Sequence, residues 1–240
     1  MTLEVAHLRL SRACAQRSWR ADPEDPNRPE TIQAMNIVLH LPKENPAPRT
    51  ALLEAAARAV VAACLDPRAG AATTTAYVRG FDEWYGHRIR KVARRARNKA
   101  WEDVQAIPGV TVAGLARAFV PSPVDAVHPL IAKLQINGTD VPSDCPPPPP
   151  DGNPVIYVDS SLNMTAGKAA AQVGHGSMLL AARMPWPWVK RWAEQEFPLS
   201  VREVEHAVFA QACGHPDAVV VRDAGFTEVA PDSVTVVAVP

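Results

Sequence analysis

Lys168, Gln172 and His175 stand at i, i+4 and i+7 behind Met164-Thr165-Ala166-Gly167. On a helix of 3.6 residues per turn these three side chains share one face. About fifty residues later come Asp223-Ala224-Gly225-Phe226-Thr227 and then Pro231-Asp232-Ser233-Val234-Thr235. Asp223 follows an apolar run, and Gly225 permits the tight turn that a strand end needs. Together these positions offer an amine, an amide, a carboxylate and two hydroxyls. Only His175 among the helix trio is a good metal ligand, which argues against a metal centre there. Taken singly, the helix reads as an ordinary surface face, Asp223 and Thr227 as turn-formers that bond their own backbone, and Thr235 as a β-former.

As an ordered set the segments resemble the type-2 peptidyl-tRNA hydrolases. The Gly-Lys-x-Ala-Ala-Gln helix is present at Gly167 to Gln172, the Asp-Ala-Gly-x-Thr turn at Asp223 to Thr227, and Pro-x-Ser-x-Thr at Pro231 to Thr235. The resemblance covers roughly Pro154 to Pro240. It implies an α/β fold with a mixed four-stranded sheet covered by helices, activity without metal or cofactor, and a homodimer as the usual assembly. It also implies hydrolysis of the ester joining peptide to tRNA. The functional set carried over is Lys168, Asp223, Thr227 and Thr235. Asp223, the only acid, is expected to activate or orient water. Lys168 is expected to offer positive charge to the oxyanion or a phosphate, and the two threonines to position water or a ribose hydroxyl. Gln172 and His175 are expected to contact substrate.

The chain departs from the family at Asp159, Asn163, Phe226 and Glu228, where positive or neutral groups are usual. These changes shift tRNA contact elsewhere, because phosphate neutralisation supplies much of nucleic-acid affinity. The candidate is Arg88, Arg90, Lys91, Arg94, Arg95, Arg97 and Lys99, flanked by Trp84, Tyr85 and Trp101. This stretch reads as a basic helix over 81–98 suited to an RNA backbone.

The elements that would position these residues fall into two halves. In the first, the pattern predicts a helix in 1–20, a loop at 21–30 and a strand at 35–41. A helix from an N-cap at Thr50 to Cys64 follows, then a loop at 66–80, the basic helix, and extended pieces at 110–112, 116–120 and 130–136. Pro146 to Pro150 cannot join a helix or central strand and favours a stiff spacer of ~3.1 Å per residue. The expected organisation is therefore an N-terminal α/β domain at 1–142, a proline-rich linker at 143–153 and a hydrolase-like domain at 154–240. In the second half, strands are expected at 155–158, 199–202, 218–222 and 233–239, with helices at 165–183, 186–196 and 204–213. Laying residue 127 on 229 matches Val127 with Val229 and Pro129 with Pro231, so the first half reads as a degenerate duplicate of the second. That alignment puts Pro121 and Asp125 opposite Asp223 and Thr227. One chain would then form a pseudo-dimer and exist as a monomer or small homo-oligomer.

Charge and composition set the remaining bounds. The chain holds 25 basic and 25 acidic residues, so nucleic-acid binding by the whole surface is excluded but a local basic patch is not. Cys14, Cys64, Cys145 and Cys213 form no C-x-x-C pair, which argues against zinc and a disulfide framework and suits a reducing cytoplasm. Arg9, Arg12, Arg17 and Arg20 interrupt any signal-peptide core, and no apolar run approaches the ~20 residues needed to span a bilayer. A cytoplasmic enzyme with peptidyl-tRNA as partner and no membrane attachment is expected. The competing class is a non-catalytic RNA- or protein-binding module that keeps the hydrolase fold. A third class is a hydrolase of another ester or amide.

Overall fold

The computed structural model describes residues 2–15, 24–223, 225 and 228–240. After α1 (Thr2–Ala15), the first half runs β1 (Gln33–His40), α2 (Arg49–Cys64), α3 (Ala76–Tyr85), β2 (Arg90–Ala96), α4 (Asn98–Asp103), β3 (Gly109–Val112), β4 (Ala116–Phe119), β5 (Ser122–Pro123) and α5 (Pro129–Ala132). The second half runs β6 (Val155–Asp159), α6 (Ala166–Arg183), α7 (Trp186–Glu194), β7 (Ser200–Val204), α8 (His206–Cys213), β8 (Val219–Arg222) and β9 (Val234–Val239).

Each half builds a mixed sheet. The first has the order β2-β1-β4-β3, with β5 also pairing β1, and the second β7-β6-β9-β8. The pairing repeats as well: β1–β2 and β6–β7 are parallel, while β1–β4, β3–β4, β6–β9 and β8–β9 are antiparallel. The α/β class and the four-stranded mixed sheet anticipated from the resemblance are both present. The ungapped alignment of 127 on 229 is out of step with the folded strands. β3 ends at Val112 and β8 at Arg222. Ala113, not Pro121, thus occupies the place of Asp223. The long turn after β8 has only Ala113-Gly114-Leu115 as its counterpart.

Small residues explain the centre of the molecule. α2 is rich in alanine and α6 in alanine and glycine, so their backbones approach closely. A Cβ on Gly174 would lie 2.8 Å from Val60 Cγ2, and Ser177 Oγ donates to the Ala57 carbonyl at 2.7 Å. One apolar core joins Met35, Ile37 and Leu39 of β1, through these helices, to Ile156, Val158 and Val236 of the second sheet. Residues of the proline-rich segment are held against it. Asp144 Oδ1 accepts from Thr50 N at 2.8 Å and from Thr50 Oγ1 at 2.9 Å, and Arg202 donates to the Pro147 carbonyl at 2.7 Å. Thr50 therefore sits inside the first turn of α2, with Pro48 at the N-cap.

Three local expectations are corrected. The basic stretch is not a helix over 81–98. α3 ends at Tyr85, before Gly86, and Arg90, Lys91, Arg94 and Arg95 lie on β2, where parallel pairing with β1 overrides local helix propensity. Residues 130–136 are not a strand. Pro129 opens the short helix α5, whose first turn is capped by His128 Nδ1 accepting from Leu130 N at 3.2 Å, and only Gln135 bridges to Arg95. Within 66–80, Thr75 caps α3 by accepting from Val78 N at 3.2 Å, so the loop is shorter than its composition suggests.

Candidate active site

Two local devices present the chemistry at one end of the second sheet. The first is the turn after β8. Asp223 N donates to Ser233 O at 2.9 Å and Asp232 N to Asp223 O at 2.8 Å, which closes the base of the β8–β9 loop. Gly225 has φ +78°, and its N–H donates to Asp223 Oδ1 at 2.8 Å. A Cβ there would lie 2.4 Å from Pro231 N, so glycine is required by both conformation and space. The second device is the start of α6. Thr165 is its N-cap, accepting from Lys168 N at 3.2 Å. Ala166 N donates to Thr139 O at 3.2 Å and Gly167 N to Thr139 Oγ1 at 3.1 Å. The helix-end amides are thus engaged by the protein, and an anion arriving here would meet the Lys168 side chain rather than free N–H groups.

These devices bring Lys168 and Asp223 together. Lys168 Nζ lies 2.7 Å from Asp223 Oδ2, and both side chains are only 11% exposed. Gln172 Nε2 donates to the same oxygen at 2.5 Å, and Thr235 Oγ1 donates to Gln172 Oε1 at 2.8 Å. Thr235 is completely buried and Gln172 nearly so. The side-chain chain Lys168–Asp223–Gln172–Thr235 therefore runs continuously from the slightly exposed ion pair to the core. Thr235 is thus placed in the core, with its hydroxyl on Gln172. Thr227 lies outside the described residues. His175 stands half-buried one turn beyond Gln172.

Glu228 was legible only as a charge that departs from the family. In the fold it latches the loop to α6: Thr165 N donates to Oε2 and Thr165 Oγ1 to Oε1, both at 2.8 Å. Asp159 likewise does not present charge to solvent. Its side chain is 4% exposed and accepts from Ser161 N at 3.0 Å, Ser161 Oγ at 2.6 Å and His206 Nδ1 at 2.7 Å. Burial pushes its pKa up, but the bonds from Ser161 and His206 outweigh that and hold it below the usual carboxylate value. Asn163 takes a left-handed conformation, φ 48°, just before the helix.

The proposed RNA-binding side chains do not form one face. Strand alternation sends Arg90 and Arg94 to one side of β2 and Lys91 and Arg95 to the other. Arg90 pairs with Glu24 at 2.6 Å, and Lys91 Nζ sits 5.1 Å from the Trp84 ring centre. Arg94 Nε donates to Asn36 Oδ1 at 2.9 Å, and Arg95 bonds the Asn137 carbonyl and Gln135. Arg88 is exposed ahead of the strand.

Among the described residues, no three His, Cys, Asp or Glu side chains group so as to hold a metal ion, and no helix is long and apolar enough to cross a membrane. Two supports of the site carry no short-range signal in the sequence. One is Thr139 on the start of α6. The other is Arg49, which binds Glu203 through Nε and NH2 at 2.8 Å and donates to the Met164 carbonyl at 2.7 Å.

Comparison with known proteins bears on this geometry. Residues 153–240 match the family model described as Peptidyl-tRNA hydrolase PTH2. A peptidyl-tRNA hydrolase of Thermococcus onnurineus (strain NA1) is 33% identical over 95 residues, covering 35% of this chain and 80% of the relative.

Proposed function

Since the chain belongs to the peptidyl-tRNA hydrolase family, we propose that its second half hydrolyses the ester of peptidyl-tRNA, with Asp223 and Lys168 as its catalytic residues. The observation that carries this reading is the Lys168–Asp223 contact itself, made by two segments 55 residues apart and tethered to the core through Gln172 and Thr235. Asp223 has donors on both oxygens, which fixes the carboxylate plane, and remaining lone pairs accept from a water. That water attacks the ester carbonyl carbon and its proton passes toward Asp223. Lys168, one donor away, stabilises the oxyanion that forms. Cleavage of the carbon–oxygen bond passes that proton from Asp223 to the ribose oxygen, leaving tRNA and a peptide carboxylic acid, which ionises by releasing the water's second proton to solvent. Thr227, by resemblance, positions water or the ribose hydroxyl, while Gln172 and Thr235 are positioning residues. His175 lies on the same helix face and is assigned to the substrate side.

The test is release of tRNA from an N-acetylated aminoacyl-tRNA by the whole chain. An inert wild-type protein that still binds this tRNA would overturn the enzyme reading in favour of a binding module. Arg90, Lys91, Arg94 and Arg95 divide over two faces of β2, and Arg88 is the most accessible of the set.

Two further outcomes follow from the geometry. Thr235→Val leaves Gln172 Oε1 without its donor. We expect kcat to fall by roughly fivefold with KM nearly unchanged, and Thr235→Ser to restore it, since one buried hydrogen bond is worth about 1 kcal/mol. A fall in Thr235→Ser equal to that in Thr235→Val would remove the hydroxyl from the scheme. Glu228→Gln keeps an acceptor for Thr165 N while deleting a negative charge at the start of the helix that carries Lys168. KM is expected to drop by roughly threefold at low salt, and the difference to vanish near 0.5 M salt as screening shortens. An identical KM at low salt would place Glu228 away from the tRNA path.

For organisation, we propose the N-terminal domain at 1–142, the linker at 143–153 and the catalytic domain at 154–240. The shared strand order supports a pseudo-dimer in which the first half, lacking the long β8–β9 type of turn, serves as a non-catalytic partner. Such a chain works as a monomer or small oligomer on tRNA in the cytoplasm.

A further inference from the structure

A cavity of about 730 Å³ opens on the face of the first sheet that points away from α2, and none of its lining residues belongs to the Lys168–Asp223 cluster. Its walls are largely apolar, with Tyr77, Ile107, Phe119, Val127 and Ile131 among them. This size suits a small organic molecule. One wall residue is polar and 96% buried. Asn36, 4% exposed, accepts from Arg94 Nε at 2.9 Å through Oδ1. That bond fixes the amide orientation by engaging Oδ1, and Asn36, whose Nδ2 bonds none of the described residues, lines the cavity.

The charge behind this amide is paired with no carboxylate among the described residues. Arg94 uses NH1 on the carbonyls of Ala132 at 3.2 Å and Leu134 at 2.9 Å. Its guanidinium polarises Asn36 and strengthens Nδ2 as a donor. Burial also lowers the Arg94 pKa, the sign of a desolvated cation that an anion would relieve. At the mouth, His128 Nδ1 accepts from Leu130 N, so its proton sits on Nε2 and that nitrogen is a second donor. Arg68, paired with Asp66 and lying 4.5 Å over the Tyr77 ring, adds a flat rim. Asn36 Nδ2 and His128 Nε2 are thus two donors beside an apolar slot.

We propose that this cavity binds a small aromatic carboxylic acid, its ring between Phe119, Ile131 and the Tyr77 rim and its carboxylate on Asn36 Nδ2. The site is independent of ester hydrolysis. The experiment titrates the full chain with indole-3-acetate and with the neutral, equal-shaped indole-3-acetamide, followed by amide chemical shifts. Saturable binding of the acid, at least tenfold tighter than the amide, is expected, with shifts centred on residues 36, 119 and 131. Asn36→Asp keeps the bond to Arg94 but replaces the donor by a negative charge, so the fold persists and acid binding falls by at least tenfold. Equal binding of the two probes, no saturable binding by the acid up to ~10 mM, or unchanged acid binding by Asn36→Asp would each overturn the proposal.

Discussion

Asp223→Asn lowers hydrolysis of N-acetylated aminoacyl-tRNA by at least ~10²-fold, the usual scale for one acid–base group, while the melting temperature moves by only a few degrees. The argument is one of donor counting. Oδ2 of Asp223 receives Lys168 Nζ and Gln172 Nε2, and Oδ1 receives Gly225 N. An asparagine has one acceptor atom for these three donors. Whichever way the amide turns, its NH2 meets either Lys168 and Gln172 or the Gly225 amide, and a donor faces a donor. The carboxylate that takes the water's proton is gone as well. Initial rates with each variant at saturating substrate, with thermal melts alongside, check this. Turnover within threefold of wild type would remove Asp223 from the chemistry, and a collapsed melt in both buffer and substrate would instead mark it as structural.

The second large effect concerns stability. Arg49→Met is expected to cost roughly 3–5 kcal/mol, because it leaves a carboxylate in the interior without its partner. Arg49 and Glu203 side chains are 6% and 13% exposed and joined by two bonds of 2.8 Å. The same guanidinium donates to Val141 O at 3.1 Å and Met164 O at 2.7 Å. It therefore ties α2, the segment before the proline run, the approach to α6 and β7 to one another. Denaturant melts measure the loss. The double variant Arg49→Met with Glu203→Leu removes both charges and is expected to recover most of it, since an apolar pair of similar volume avoids the desolvation cost. Equal destabilisation in single and double variants would show that the carbonyl bonds to Met164 and Val141, rather than the ion pair, hold the site. Because Met164 precedes the Thr165 cap directly, the single variant also loosens the start of the helix that carries Lys168.

Much of the second half was written in local preferences. Apolar runs located β6, β8 and β9, the expected helix began at Thr165, and Gly225 marked a tight turn. Such signals act within a few residues, so they survive without a fold around them. The ordered set Lys168, Gln172 and Asp223 was equally readable, and the fold joins all three through one carboxylate oxygen.

Other features were decided only by residues distant in the chain. The basic run has strong helix formers, yet pairing with β1 makes it strand β2 and divides its charges between two faces. Pro129 and His128 turn an apparent strand into a short helix. Thr235 reads as a β-former at a strand position, but only the packing of α6 over β9 buries it and aims it at Gln172. Glu228 and Asp159 look in sequence like negative charge in the substrate's way. In the fold one latches Thr165 and the other is buried against Ser161 and His206. Arg49 and Glu203 are 154 residues apart. Local sequence thus determined which chemical groups are present and which turns and caps carry them. The tertiary structure determined their partners, because burial and hydrogen-bond pairing depend on neighbours that chain order does not specify.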